Sequence, residues 1–213
     1  MSIAPFRSPR PLPPPRLRIR SARPSDVPAL EALQHRAVRE IAGRACGAAA
    51  VEAWIRLFHT LDRELISDGT YLVAVAGASL AGCGGWSFRR RGHGCTERIG
   101  AAGERPLDPA TEPAWIRALF VDPRFARRGI GAAVLDAAER AAAGAGYWRV
   151  ALDATRSGEP LYRSAGYRAV EPIEVALPGG LRLPLLRMEK PLWLGARSWA
   201  ASASGATPSG SSS

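Results

Sequence analysis

The segment from 127 to 132, with the sequence Arg-Arg-Gly-Ile-Gly-Ala, is the part of this chain best suited to chemistry. It follows an apolar stretch at 114–121 and precedes an alanine-rich run that ends at Ala143. This order predicts a strand, a short turn, a basic loop and a helix. Unpaired N–H groups and the helix dipole make a helix N-terminus favourable for a phosphate or pyrophosphate. The segment therefore predicts a site for a phosphorylated cofactor.

Two glycines and two arginines give this loop its character. Gly129 and Gly131 lack side chains where the backbone must approach a ligand closely. Arg127 and Arg128 add positive charge beside them. A nucleotide-binding P-loop would need a lysine within the loop, but the only lysine of the chain is Lys190.

The positive charge of the chain does not point to nucleic acid. The 213 residues carry a formal net charge of +10, almost all of it from arginine. Apart from small groups at 89–91 and 127–128, the arginines are scattered rather than clustered with aromatic residues. We therefore expect no nucleic-acid partner.

Membrane and metal partners are not expected either. No apolar run has the length of a membrane span, and the first residues lack the apolar region of a secretory signal. The cysteines, Cys46, Cys83 and Cys95, form no CxxC pair and have no metal-ligand spacing with the three histidines. Free thiols are typical of a reducing compartment, so we expect a cytoplasmic protein without a metal site.

The pattern of apolar residues predicts a mixed sheet flanked by helices, an α/β fold with one strand–loop–helix–strand crossover. A Pro/Arg-rich segment at 1–15 is predicted to be disordered, and a Ser/Ala/Gly-rich tail at 192–213 to be flexible. Strands are predicted near 17–20, 71–75, 80–86, 114–121, 147–153, 167–177 and 182–190, and helices near 24–43, 48–60, 129–143 and 158–165.

Two further features concern the connections. The polar stretch 89–112 is predicted to be an irregular loop, and loops of this length are often functional. Ser157 is a candidate cap for the short helix that follows it, and Gly166 is a candidate stop for the same helix.

Two motifs in order make residues 16–191 resemble the GNAT superfamily, the GCN5-related N-acetyltransferases. The first is Val121-x-Pro123 followed by Arg128-Gly129-Ile130-Gly131-Ala132. The second, Leu161-Tyr162-Arg163-Ser164-Ala165-Gly166-Tyr167, is similar to the aromatic-Tyr-x-x-x-Gly-aromatic element of that family. The Cys83-Gly84-Gly85-Trp86 strand also resembles bacterial members. The resemblance implies a central mixed sheet in which two parallel strands, 114–121 and 147–153, splay apart.

The resemblance implies acetyl-CoA as the co-substrate. Tyr162 aligns with the tyrosine that protonates the departing thiolate. The family pattern has Arg or Gln where this chain has Ala126, so the neighbouring arginines are expected to supply the charge. The residues implied to bind the cofactor are Leu119, Phe120 and Val121 along the pantetheine arm, Arg127, Arg128, Gly129, Ile130, Gly131 and Ala132 around the pyrophosphate, and Thr155 where many members have asparagine.

The implied function is transfer of the acetyl group of acetyl-CoA to an amine. A second reading is a non-catalytic acyl-CoA-binding module of the same fold. The backbone N–H of Leu119 is a candidate donor to the thioester carbonyl. The acceptor, a small-molecule or protein amine, is expected against helices in 24–66, the 89–112 loop and the last strands. Many members dimerise, so the resemblance is compatible with a homodimer.

The general base cannot be identified from the residues. The 114–121 strand has no carboxylate, and a chain of waters could remove the proton instead. Trp86 and Trp115 are candidates to line the acceptor pocket, although packing is the simpler interpretation. The charged residues near the expected mouth are interpreted as solvated surface groups: Glu97, Glu104, Glu112 and Asp122, with His93 exposed.

Overall fold

A computed structural model describes residues 17–43, 55, 63–89, 105–176 and 182–192. Within them lies one seven-stranded sheet. Its strands are β1 (Leu17–Ser21), β2 (Tyr71–Ala76), β3 (Ser79–Ser87), β4 (Ala114–Val121), β5 (Arg149–Ala154), β6 (Arg168–Ala176) and β7 (Arg182–Pro191). The helices are α1 (Val27–Gly43), α2 (Arg63–Ser67), α3 (Ile130–Gly144) and α4 (Glu159–Ser164), with 3-10 turns at Pro24–Asp26 and Pro123–Phe125.

The strands follow the order β1-β2-β3-β4-β5-β7-β6, and β4 and β5 are the parallel neighbours. These two strands pair at only two positions, Ala114 with Val150 and Trp115 with Ala151. Beyond them, β4 continues to Val121 without pairing to β5, whose other edge pairs with β7 along its whole length. The predicted mixed sheet and its splayed parallel strands are therefore confirmed.

Helices cover the two faces of the sheet. The apolar stripe of α3, with Val134 and Leu135 fully buried, packs on one face against β3 and β4. On the other face, Leu30 and Leu33 of α1 are buried against β2 and β3, as expected for an amphipathic helix with apolar residues at a helical spacing. The gap between β4 and β5 thus has an α3 side and an α1 side.

The predicted elements agree with the structure where it describes them. The predicted helix near 48–60 lies outside the described residues except Ile55, which is helical and buried. The segment 1–15 and residues from 193 onward also lie outside them. Of the predicted loop, residues 105–113 are irregular, with Leu107 buried against the core, and 90–104 are not described.

Candidate active site

A β-bulge interrupts β4 beside the gap. Cys83 pairs with Phe120 and Gly85 with Arg117, so Ala118 and Leu119 lie opposite the single residue Gly84. A Cβ on Gly84 would lie 2.6 Å from Leu119 Cδ1, so only glycine leaves room for the bulge. Ala118 has φ of 52°, a left-handed conformation that costs a non-glycine residue about 1–2 kcal/mol. The surrounding contacts must hold this conformation in place.

The loop after β4 presents backbone N–H groups at the start of α3. Arg127 and Gly129 have φ of 61° and 76°, and Gly129 is the N-cap residue. The first helical hydrogen bond runs from Ala133 N–H to Gly129 O. In the described part of the chain, no backbone acceptor meets the N–H groups of Ile130, Gly131 and Ala132. The start of α3 therefore has the open amides that the predicted anion site requires, and binding of an anion there stays a prediction.

The two glycines of this loop have different reasons to be glycine. Gly129 has no atom within 4 Å of its ideal Cβ position, and its positive φ accounts for the residue type. A Cβ on Gly131 would lie 3.1 Å from Leu161 Cδ2 and 3.4 Å from Val121 Cγ2. The missing side chain of Gly131 therefore also lets α3 approach α4 and β4, a packing reason that the sequence did not reveal. The expectation that Gly131 lets a ligand approach stays a prediction.

Arginine side chains surround the loop. The guanidinium carbons of Arg124 and Arg128 lie 5.9 and 5.7 Å from the centre of the Phe125 ring. Arg127 and Arg128 are exposed, which leaves their charge available to a bound anion. This arrangement is consistent with the expectation that they replace the charge missing at Ala126.

Asp122, at the end of β4, is not the solvated surface charge expected from the sequence. Its side chain is fully buried, and its carboxylate accepts hydrogen bonds from Arg124 Nη2 at 2.8 Å and Arg36 Nη2 at 2.7 Å. Hydrogen bonds from Arg124, and to a smaller extent from Arg36, hold the pKa of this carboxyl well below its usual range. Asp122 is therefore a fixed anion that links α1 to the start of the loop, and not a general base.

Tyr162 lies on α4, on the α3 side of the sheet. A Cβ on Gly158 would lie 3.1 Å from its ring, so this glycine leaves the ring room. The ring packs edge-on against Tyr167 with a centroid distance of 5.7 Å. Burial raises the pKa of the Tyr162 phenol above its ordinary value, so the group stays protonated at neutral pH. A protonated phenol is the form that a proton donor needs.

Thr155, rather than Ser157, supports the start of α4. The N-cap residue is Gly158, and its N–H donates to Thr155 Oγ1 at 3.2 Å. The prediction of Ser157 as the cap is wrong, because the preceding turn brings the Thr155 hydroxyl to the helix end instead. The predicted stop at Gly166 is confirmed by its φ of 92°.

The α1 side of the gap carries charged groups that the sequence patterns did not reveal. The register places Asp153 of β5 opposite Arg187 of β7, and Arg187 Nε donates to Asp153 Oδ1 at 3.0 Å. The Arg187 guanidinium also stacks on Trp115, 4.8 Å from its ring centre. Trp86, in contrast, is buried in the core between Phe88 and Tyr147. Of the two tryptophans, only Trp115 faces this side.

The described residues hold no group of three or more His, Cys, Asp or Glu side chains that could bind a metal ion. Cys83 is a buried free thiol, and burial raises its pKa to about 12. Glu112 pairs with Arg105 at 2.7 Å near the surface, as expected of a surface charge. No described helix combines the length and apolar character needed to cross a bilayer. Cys46, Cys95, His93, Glu97 and Glu104 lie outside the described residues.

A splayed parallel strand pair, a helix N-terminus with open amides and a protonated tyrosine are the features that the family resemblance implies for an acyltransferase. A sequence model of the acetyltransferase (GNAT) family matches residues 35–167, more than half of the chain. The chain therefore belongs to this family, and its activity is acetyl transfer. No curated protein matches the chain.

Solved structures share the fold. A GCN5-related N-acetyltransferase from Rhodopseudomonas palustris has a TM-score of 0.62 and 21% identity, over 84% of this chain and 97% of its own. The PaiA N-acetyltransferase of Thermoplasma acidophilum, solved with coenzyme A, has a TM-score of 0.59 and 17% identity, over 83% and 99%. A ribosomal-protein-alanine N-acetyltransferase from Brucella melitensis has a TM-score of 0.56 and 20% identity, over 82% and 99%.

Proposed function

We propose that this protein transfers the acetyl group of acetyl-CoA to an amine, with the cofactor bound across the α3 side of the gap. The open amides at the start of α3 are the observation that carries this proposal. Ile130, Gly131 and Ala132 would donate to the pyrophosphate, with Arg127, Arg128 and Gly129 around it. The pantetheine arm would then lie along Leu119, Phe120 and Val121, where β4 has lost its parallel partner.

The reaction forms a C–N bond and breaks a C–S bond. A neutral amine attacks the thioester carbon, and the carbonyl oxygen gains negative charge that the Leu119 N–H would stabilise. As the C–S bond breaks, Tyr162 gives its proton to the sulfur, and the proton lost by the nitrogen restores the phenol. The products are an N-acetylated amine and the free thiol of CoA, so atoms and charge balance.

The proposal assigns the acceptor to the α1 side, because the cofactor occupies the α3 side. Trp115, Asp153 and Arg187 face that opening. No residue is assigned as general base. Thr155 remains a proposed cofactor contact, with its hydroxyl already hydrogen-bonded to Gly158 N–H. The proposed compartment is the reducing cytosol, in which the Cys83 thiol stays free.

Thiol release from acetyl-CoA tests the proposal when it is measured with a set of small primary amines and peptides with free N-termini. At least one amine is expected to accelerate release above the rate with water alone, and mass spectrometry should show that amine acetylated. Binding of CoA without acceleration by any amine would contradict the enzyme and favour the acyl-CoA-binding module.

A further inference from the structure

A buried polar network lies under the bulge of β4. Gln34 of α1 donates from Nε2 to the hydroxyl oxygen of Tyr71 at 2.9 Å. The Tyr71 hydroxyl donates to the backbone oxygen of Ala118 at 3.3 Å, and Cys83 Sγ lies 3.2 Å from the same hydroxyl. Tyr71 and Cys83 are 0% exposed, and Gln34 is 7% exposed. Polar groups this deep are retained only when they are hydrogen-bonded.

The proton count favours Ala118 as the acceptor. A tyrosine hydroxyl has one proton to donate, and the amide of Gln34 already donates to its oxygen. Between the Ala118 carbonyl oxygen and the Cys83 sulfur, the carbonyl oxygen is the stronger acceptor, because a neutral thiol sulfur accepts only weakly. The Cys83 thiol is neutral, because burial raises its pKa to about 12. The Tyr71 hydroxyl therefore donates its hydrogen bond to the carbonyl of Ala118, the residue that has the left-handed φ.

This contact fixes the direction of an N–H group. A trans peptide is planar, so the Ala118 C=O and the Leu119 N–H point in opposite directions. Tyr71 lies on β2, which is on the β3 side of β4, whereas β5 lies on the other side. A carbonyl held toward Tyr71 directs the Leu119 N–H toward the side where β5 has separated.

We propose that Tyr71, supported by Gln34, is a positioning residue that orients the Leu119 N–H toward the thioester carbonyl. The inference rests on the proposed function, because the amide needs a thioester to act on. It adds that α1, the helix on the acceptor side, is connected through two side chains to the amide that polarises the carbonyl. Tyr71 itself does not contact the reacting atoms.

Tyr71→Phe removes the hydroxyl and leaves the ring. Without its donor, the strained 118–119 peptide can rotate, and the N–H is no longer aligned. We expect kcat to fall by between about tenfold and about a hundredfold, less than the roughly hundred- to thousandfold cost of removing an oxyanion donor, because the Leu119 N–H is misaligned and not removed. The KM for acetyl-CoA should stay within about twofold. Gln34→Leu should produce a smaller fall in kcat. The Tyr71 hydroxyl then loses the hydrogen bond that it accepts from Gln34 but keeps the one that it donates to Ala118.

Tyr147→Phe is the matched control. Tyr147 is 3% exposed, and its hydroxyl donates to the backbone oxygen of Leu107 at 2.8 Å, a carbonyl outside the bulge. Both variants lose a buried hydrogen bond to a carbonyl, so both should lose a similar amount of thermal stability. If Tyr71→Phe loses stability as Tyr147→Phe does but keeps its kcat within twofold of the wild type, Tyr71 is only structural and the proposal is overturned.

Amide NMR tests this proposal separately from the proposed function. It also shows whether a variant that has lost activity is still folded and still binds acetyl-CoA. In the wild type, acetyl-CoA should shift the amide signals of both Gly131 and Leu119. In Tyr71→Phe, the shift at Gly131 should remain, and the shift at Leu119 should be reduced at least twofold. An unchanged Leu119 response overturns the positioning role alone. No response at Gly131 in the wild type overturns the proposed function, and this inference with it.

Discussion

The two sides of the β4–β5 gap are built in different ways. On the α3 side, the groups proposed to hold the cofactor and protonate its sulfur come from two short segments, 119–132 and 155–162. On the α1 side, the groups belong to elements far apart in the chain: Gln34 on α1, Tyr71 on β2 and Arg187 on β7. Under the proposals above, cofactor binding would depend on local backbone geometry, whereas the alignment of the thioester would depend on contacts between residues far apart in the chain.

The largest effect is expected on the α3 side, from Tyr162→Phe. Loss of the proton donor should lower turnover by between about a hundredfold and about ten-thousandfold, following the contribution of general acids. The affinity for acetyl-CoA should change by less than about twofold, because the ring and its packing remain. Steady-state kinetics and calorimetry measure the two quantities, and turnover close to the wild type would remove Tyr162 from the mechanism.

Gly131→Ala tests whether CoA binding requires the start of α3 to keep its present position. The new Cβ would press on Leu161 and Val121, displacing the amides from the proposed pyrophosphate position. CoA binding should weaken about tenfold, which corresponds to 1.4 kcal/mol. Gly144→Ala is the control in the same helix, because nothing lies within 4 Å of its ideal Cβ position. An equal loss of affinity in both variants would show that the position of the helix start is unimportant.

Asp122 connects α1, through Arg36, to the loop after β4, through Arg124. Its ionisation should therefore change the free energy of unfolding rather than the turnover. Its pKa is lower in the folded than in the unfolded chain, where about 3.9 is expected. The stabilisation is therefore complete above pH 4 and is lost as the pH falls through the folded-state pKa. Thermal melts between pH 5 and pH 2 should show a weaker pH dependence in Asp122→Asn than in the wild type.

The control for that series is Asp136→Asn, which removes an exposed ion pair with Arg140. Exposed pairs contribute little, so its pH dependence should match the wild type. An identical slope for Asp122→Asn and the wild type in this range would contradict the role given to the buried carboxylate.

The smallest effect is expected from Ala118→Gly. Glycine adopts the positive φ of this position without strain, but it also gains freedom in the unfolded chain. These contributions oppose each other, so the free energy of unfolding should change by less than about 1 kcal/mol. The carbonyl that Tyr71 holds is unchanged, so kcat should also remain within about twofold. A large loss of activity would mean that the side chain of Ala118, rather than its peptide, is what matters.

The same contrast explains what could be predicted from the sequence. The loop glycines, the helix after them and Tyr162 occupy short motifs, so their local order was enough to predict the strand, loop and helix that leave amides open at the start of α3 and the short helix that carries Tyr162. Anion binding at these amides and proton donation by Tyr162, which the resemblance implies, stay predictions. The Tyr71 contact with Ala118 spans 47 residues, and the Arg36 contact with Asp122 spans 86. No pattern along the chain encodes such pairs, because they arise from strand register and helix packing.

The error at Asp122 follows from the same limit. Asp122 is expected at the surface from the sequence, because nothing near it in sequence shows that Arg36 covers it. At Gly131 the sequence does not show that the missing side chain also makes room for Leu161, thirty residues further along the chain. At both positions the neighbouring side chain comes from a distant part of the chain.

Calorimetric titration of CoA, compared with pantetheine, tests the central claim most directly. If the amides at the start of α3 bind the pyrophosphate, CoA should bind at a single saturable site. Pantetheine, which lacks the phosphates, should bind at least about a hundredfold more weakly, a difference of about 2.7 kcal/mol. Equal binding of the two compounds, or no heat with CoA on folded protein, would contradict the account.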